Sequence, residues 1–136
     1  MPKRRRGSRT ATRRRSANHV PFEELVERAL AAIPEPFRSA LAEVAIVIDD
    51  DLTPEERRDN GLGPNEDLYG LYEGVPRTEY AADWQSVPNR ITLFRLPLEE
   101  DFADPADLAE EVRITVIHEL AHHLGIDDDR LDELGV

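Results

Sequence analysis

Glu110-Glu111-Val112-Arg113-Ile114-Thr115-Val116-Ile117-His118-Glu119-Leu120-Ala121-His122-His123-Leu124-Gly125 is the stretch on which the reading of this chain turns. Asp104-Pro105-Ala106-Asp107 just before it is a strong helix start, with a side-chain cap, proline at the first position and an acid in the first turn. Gly125 just past the end supplies a left-handed C-cap. These signals predict a helix over 105–124. From Val112 to Leu124 it is apolar nearly all round, so it must lie at the centre of the domain. It nevertheless carries His118, Glu119, His122 and His123, and polar groups on a buried helix need partners or a purpose.

His118-Glu119-x-x-His122 offers the purpose. Residues four apart on a helix differ by about 40° in direction and roughly 6 Å in height. Both imidazoles can therefore reach one ion, at about 2.0–2.1 Å from each ligating nitrogen. Glu119 lies some 60° round from His122, beside such an ion rather than on it, where its carboxylate can take a proton from water and return it to a leaving amine. The pattern continues as Gly125-x-x-Asp128. Glycine at that point allows the positive φ that turns the chain back under the helix, so Asp128 can complete a three-ligand site with one position left open. Asp127 and Asp129 compete with Asp128 for that role, and Glu133 is a weaker candidate. His123 points about 100° away from His122 and is expected to support structure or to orient its neighbours. Glu111 and Thr115 share the ligand face and could orient the imidazoles.

Outward from this helix, Phe22, Leu25, Val26, Ala29, Leu30 and Ile33 form one apolar stripe and predict a helix opened by Pro21 and stopped by Pro34 and Pro36. Val44 to Ile48 is β-branched and reads as a buried strand. The aspartates after it, Asp49, Asp50 and Asp51, could suggest a divalent cation but read more simply as a solvated strand end. Residues 53–67 are rich in turn formers and are expected to be a surface loop. Residues 68–73 read as a second strand. Residues 89–96 read as a third, with Pro88 before and Pro97 after, which suits a place near the sheet edge. An extended peptide could then pair with residues 90–96.

Of the 17 basic residues, eight lie within the first fifteen positions, a segment with no acid; the rest of the chain holds the other nine and all 29 acids, so the formal charge of −12 averages a basic arm and a far more acidic remainder. Residues 1–19 are thus expected to be a disordered basic arm before a single domain over 20–136. The arm could contact nucleic acid or another polyanion, or lie in the acidic cleft and block it. There is no cysteine, which excludes disulfides, thiolate metal sites and a catalytic thiol. No apolar run approaches the length that spans a bilayer, and no apolar segment follows the arginines as in a signal peptide. A cytoplasmic protein without membrane contact is the expectation.

Residues 22–135 resemble the small bacterial zincin-like metallopeptidases. The likeness rests on LYGLYEGVPRTEY (68–80), on PNRITLFRLPL (88–98) and above all on EEVRITVIHELAHHLGIDDDRLDELG (110–135). The resemblance implies an α+β fold: a compact zincin-like domain with a small three- or four-stranded mixed sheet, packed on an N-terminal helix and the buried HExxH helix. By similarity to the larger metzincins it implies that His118, His122 and Asp128 bind zinc, that Glu119 is the general base, and that the substrate is a peptide or protein. Metzincins place a methionine turn beneath the metal. Here eight residues follow Asp128 and the one methionine is Met1, so no counterpart of that floor is expected. Tyr69, Tyr72, Tyr80 and Arg95 are candidates to stabilise an oxyanion on general chemistry. Two other functions compete: a metal-dependent RNA-processing nuclease, and a non-enzymatic binding module stabilised by zinc.

Overall fold

A computed structural model describes residues 20–74 and 89–134, and the backbone of residues 3–5. The first helix, α1 (Phe22–Ala31), buries Phe22, Leu25, Val26 and Ala29, and Ile33 just beyond it is also enclosed. This is the stripe the spacing predicts. A short helix α2 (Phe37–Ala40) and a 3-10 turn (Leu41–Glu43) lead into β2 (Ala45–Asp49). After α3 (Pro54–Asp59) come β3 (Glu66–Leu68), β4 (Gly70–Glu73), β5 (Arg90–Phe94) and α4 (Arg95–Asp101). The long α5 (Pro105–Leu124) and the short α6 (Asp128–Leu134) close the fold.

The main sheet has three strands in the order β2-β5-β4, with β2 parallel and β4 antiparallel to β5. Helices α1 and α5 cover one face of it. Ile91 and Leu93 of β5 join Val112, Val116, Ile117, Leu120 and the α1 stripe in the principal core. On the other face, Leu52, Leu68, Leu71 and Phe94 form a second, smaller cluster. The α+β class, the mixed sheet and the two packing helices are as expected. Asp104 caps α5 by accepting from the Asp107 N–H at 3.1 Å, and Gly125 adopts φ 73° at its end. No helix among the described residues is long and apolar enough to cross a membrane.

Besides β2, expected to be buried but found at a sheet edge with its residues half-buried or exposed, two expectations are corrected. The strand expected at the sheet edge is the central one: β5 is paired on both sides, and Ile91, Thr92, Leu93 and Phe94 are all buried. Its apolar character on both faces reflects the two clusters it separates. Pro97 does not end the strand at an edge; it sits in the first turn of α4, where a missing N–H costs little. The neighbouring Leu96 N–H donates to the Asp50 carbonyl at 2.8 Å, which ties this turn to the end of β2. Residues 90–96 therefore offer no free edge to a peptide.

The second correction concerns residues 53–67, which contain a helix and a strand rather than a bare loop. Thr53 and Glu56 form a capping box, each side chain bonded to the other's backbone N–H, with Pro54 in the first turn. Arg57 of α3 then reaches the Glu66 carbonyl and the Asp67 carboxylate, both at 2.7 Å. Asp67 is only 3% exposed, so this guanidinium neutralises a buried charge and fixes α3 to β3. The aspartates after β2 serve similar ends: Asp50 accepts from Arg95, and Asp51 from Arg57 and from the Leu52 N–H.

Of the basic arm, the backbone of β1 (Lys3–Arg5) pairs antiparallel with β3, Lys3 opposite Leu68 and Arg5 opposite Glu66. The remaining residues of the 1–19 arm lie outside the described residues, as do Tyr80 and Pro88.

Candidate metal centre

The site begins with a close approach of helix to strand. Gly70 of β4 faces α5, and a Cβ placed there would lie 2.7 Å from the Thr115 methyl group. The absence of a side chain lets α5 run tightly along β4. One turn further on, Glu119 reaches the same strand, and its Oε1 accepts the Tyr72 N–H at 3.0 Å. The Phe94 N–H bonds to the Tyr69 carbonyl, so antiparallel alternation points the Tyr72 N–H away from β5, toward α5. Glu119 thus caps a donor that the sheet leaves over.

The rest of that carboxyl group is enclosed. Glu119 is 0% exposed, and its Oε2 has no hydrogen-bond partner among the described residues. Burial pushes its pKa up to about 8; the Tyr72 N–H opposes the rise and the Asp128 charge adds to it. A buried acid held by one oxygen, with the other unclaimed, is suited to exchange a proton with something that enters the site.

That something has a place to enter. A cleft of about 540 Å³ is lined by Tyr72, Gly74, His122, Gly125, Ile126, Asp127 and Asp128. The left-handed turn at Gly125 folds the chain back so that His122, on the last turn of α5, and Asp128, at the start of α6, share its wall. Burial holds the His122 pKa below the usual imidazole value, Asp128 works against this and His118 adds to it. His122 is therefore a neutral nitrogen donor at neutral pH, as metal binding requires. His118, one turn earlier, is half-buried.

The three neighbouring aspartates differ. Asp127 uses Oδ1 to accept the Arg130 N–H at 2.9 Å, capping α6. Asp129 is not part of the cleft wall, and Glu133 pairs with Arg130 at 2.8 Å. Asp127 and Asp128 both line the cleft, and of the two Asp128 is the one that acts electrostatically on both Glu119 and His122. As they stand, no three His, Asp or Glu donors among the described residues are close enough to hold an ion together. His118 and Glu119 do not line the cleft that His122 and Asp128 share, but the donor types, two imidazoles and one carboxylate, fit a hard-to-borderline divalent cation.

His123 is fully buried. Its Nε2 lies 2.6 Å from Glu43 Oε1 and its Nδ1 3.0 Å from the Tyr72 hydroxyl. Both ring nitrogens are used within the protein, so His123 is no metal ligand, in line with the sequence reading. Thr115, by contrast, does not orient an imidazole: it is 0% exposed, packs against Gly70, and its Oγ1 has no hydrogen-bond partner among the described residues. Glu111 is also buried, two turns before Glu119.

Of the oxyanion candidates, Tyr69 donates its hydroxyl to Asp101, and Arg95 is paired with Asp50 and Glu99; neither lines the cleft. Tyr72 does line it. The part played by the Tyr72 backbone and by Glu43 had no signal in the sequence, because each joins Glu119 or His123 across a long span of chain.

A family model described as zincin-like metallopeptidase matches residues 41–136. This span runs from the 3-10 turn through the whole sheet to the end of α6, and so contains every residue of the candidate centre. A comparison with curated proteins finds no match.

Proposed function

The chain belongs to the zincin-like metallopeptidases, and on that premise we propose that it is a zinc-dependent endopeptidase. In this reading His118, His122 and Asp128 hold the metal and Glu119 is the general base. The observation that carries it is Glu119 itself: a fully buried carboxylate with one oxygen unclaimed and the other fixed by the N–H of Tyr72, a residue that lines the same cleft as His122 and Asp128. Binding the ion would draw the three ligand side chains together from their present positions.

Zinc held there would supply a Lewis acid for the scissile carbonyl and for water. The chain's own residues supply the rest. Glu119 Oε2 accepts the proton of the attacking water and passes it to the leaving amine nitrogen. The Tyr72 N–H keeps Oε1 occupied, so that the proton travels by a single oxygen. Glu119 would come down from its raised pKa toward the range where it works as a base if a cation were held nearby. Because β5 is paired on both sides, we assign an extended substrate to the cleft beside β4, where Tyr72 and Gly74 form one wall. No Lys or Arg among the described residues lines that cleft, which disfavours a phosphodiester substrate.

The test is incubation of zinc-loaded protein with a diverse peptide library, comparing wild type with Glu119→Ala at equal zinc content. Loss of a general base predicts a fall in cleavage rate of about 10²–10⁴-fold. The same products at the same rate from both proteins would reject the proposal.

A further inference from the structure

We propose that Glu43 and His123 are positioning residues that act on Glu119 through Tyr72. The inference rests on the peptidase reading only for its purpose; its geometry stands independently. Four groups from three parts of the fold form one chain of contacts. Glu43, at the end of the 3-10 turn, meets His123 Nε2 at 2.6 Å; His123 Nδ1 meets the Tyr72 hydroxyl at 3.0 Å; the Tyr72 N–H donates to Glu119 Oε1 at 3.0 Å. Asn89, just before β5, adds a contact from its Oδ1 to the Tyr72 hydroxyl at 3.2 Å.

The physical case is one of constraint. β4 is an edge strand of four residues, and its ladder to β5 leaves residue 72 bonded on the far side only. A strand so short, held from one side, is free to twist about its axis, and twisting swings the Tyr72 N–H away from Glu119. The phenol is the lever that prevents this. Its ring packs tilted against the His123 imidazole, centroids 5.7 Å apart, and its hydroxyl is held at the far end by two partners. His123 in turn has no freedom: it is 0% exposed on a helix in the core, and the Glu43 carboxylate fixes its ring orientation. The clamp therefore determines which oxygen of Glu119 is bonded and which remains available. It also explains why a polar histidine is retained next to a ligand on the most buried helix of the fold, and why Glu43 reaches inward from an otherwise exposed turn.

The test reads the Tyr72 amide directly, by hydrogen exchange in NMR on the full-length protein, and requires no turnover. Tyr72→Phe removes only the hydroxyl, Glu43→Ala removes the far anchor, and Glu43→Gln keeps an acceptor for His123. We expect the residue-72 amide to exchange at least about tenfold faster in Tyr72→Phe and Glu43→Ala, with Glu43→Gln close to wild type. The amides of residues 71 and 73, bonded to β5, should stay as protected as in wild type. Unchanged protection at residue 72 in both loosening variants would overturn the proposal. So would an equal loss along all of β4, since that would mark a merely structural role. If residue 72 responds as expected and the peptide library is not cleaved, the peptidase reading fails while the clamp stands.

Discussion

Glu119 concentrates the physics of this protein in one side chain. Its enclosure costs it the charged state, and a single backbone N–H returns part of that cost. The consequence for the metal-free protein follows from linkage. The folded carboxyl titrates at about 8 and the unfolded one near its ordinary 4.5. Between those values the folded state keeps a proton that the unfolded chain has released, so stability falls as pH rises through this window and levels off above it. Glu119→Gln removes the titration. Chemical denaturation with chelator present, at a series of pH values from 4.5 to 8.5, should therefore show wild type losing a few kcal/mol relative to Glu119→Gln across the window. A wild-type-minus-variant difference that is flat with pH would contradict the burial described here. The other functional groups were legible at this scale in proportion to how local they are. The i, i+4 histidines and Gly125 could be read from spacing alone. The Tyr72 contact to Glu119 joins positions 47 apart and the His123 contact to Glu43 positions 80 apart, so only folding reveals them.

At the scale of elements, the seam between α5 and β4 decides whether Glu119 can reach its donor. Gly70 is the narrowest point of the seam. An alanine there meets the methyl group of a β-branched, fully buried threonine that has no room to retreat. Gly70→Ala should cost about 1–3 kcal/mol by overpacking. Thr115→Ser removes the obstructing methyl, so the double variant Gly70→Ala/Thr115→Ser should recover a large part of that loss relative to Thr115→Ser alone. Urea unfolding of the four proteins measures the coupling; additive effects would show that α5 and β4 do not meet as closely as described. Sequence patterns located α1 and α5 well because α1 has a periodic apolar stripe bounded by prolines and α5 is capped at both ends, by Asp104 and Gly125. They misplaced β5, since flanking prolines suggest an edge and do not say that Pro97 belongs to the next helix. They passed over α3 although Thr53-Pro54-Glu55-Glu56 carries its capping box, because the surrounding turn formers outweighed one local motif.

Across the whole molecule, one principal core formed by α1, α5 and the inner face of the sheet supports a cleft whose far wall, among the described residues, is the turn from Gly125 to Asp128 at the start of α6. A zinc bound to His122 and Asp128 would join α5 to α6 and so add a cross-link where the fold is thinnest. Binding to the folded state alone stabilises by mass action, about 2.7 kcal/mol when free metal is a hundred times the dissociation constant. The α+β class and the two covering helices were legible at this scale, because an all-round apolar helix must be central and a one-sided helix must cover it. The order of strands was not, since pairing is set by contacts distant in sequence. The most direct test of the central claim is zinc content per chain, by elemental analysis after titration and removal of excess metal, on wild type, His118→Ala and Asp128→Ala. The account predicts about one zinc per chain in wild type, none in His118→Ala and a weakened, partial occupancy in Asp128→Ala. Absence of bound zinc in wild type after titration, or binding indifferent to His118→Ala, would contradict it.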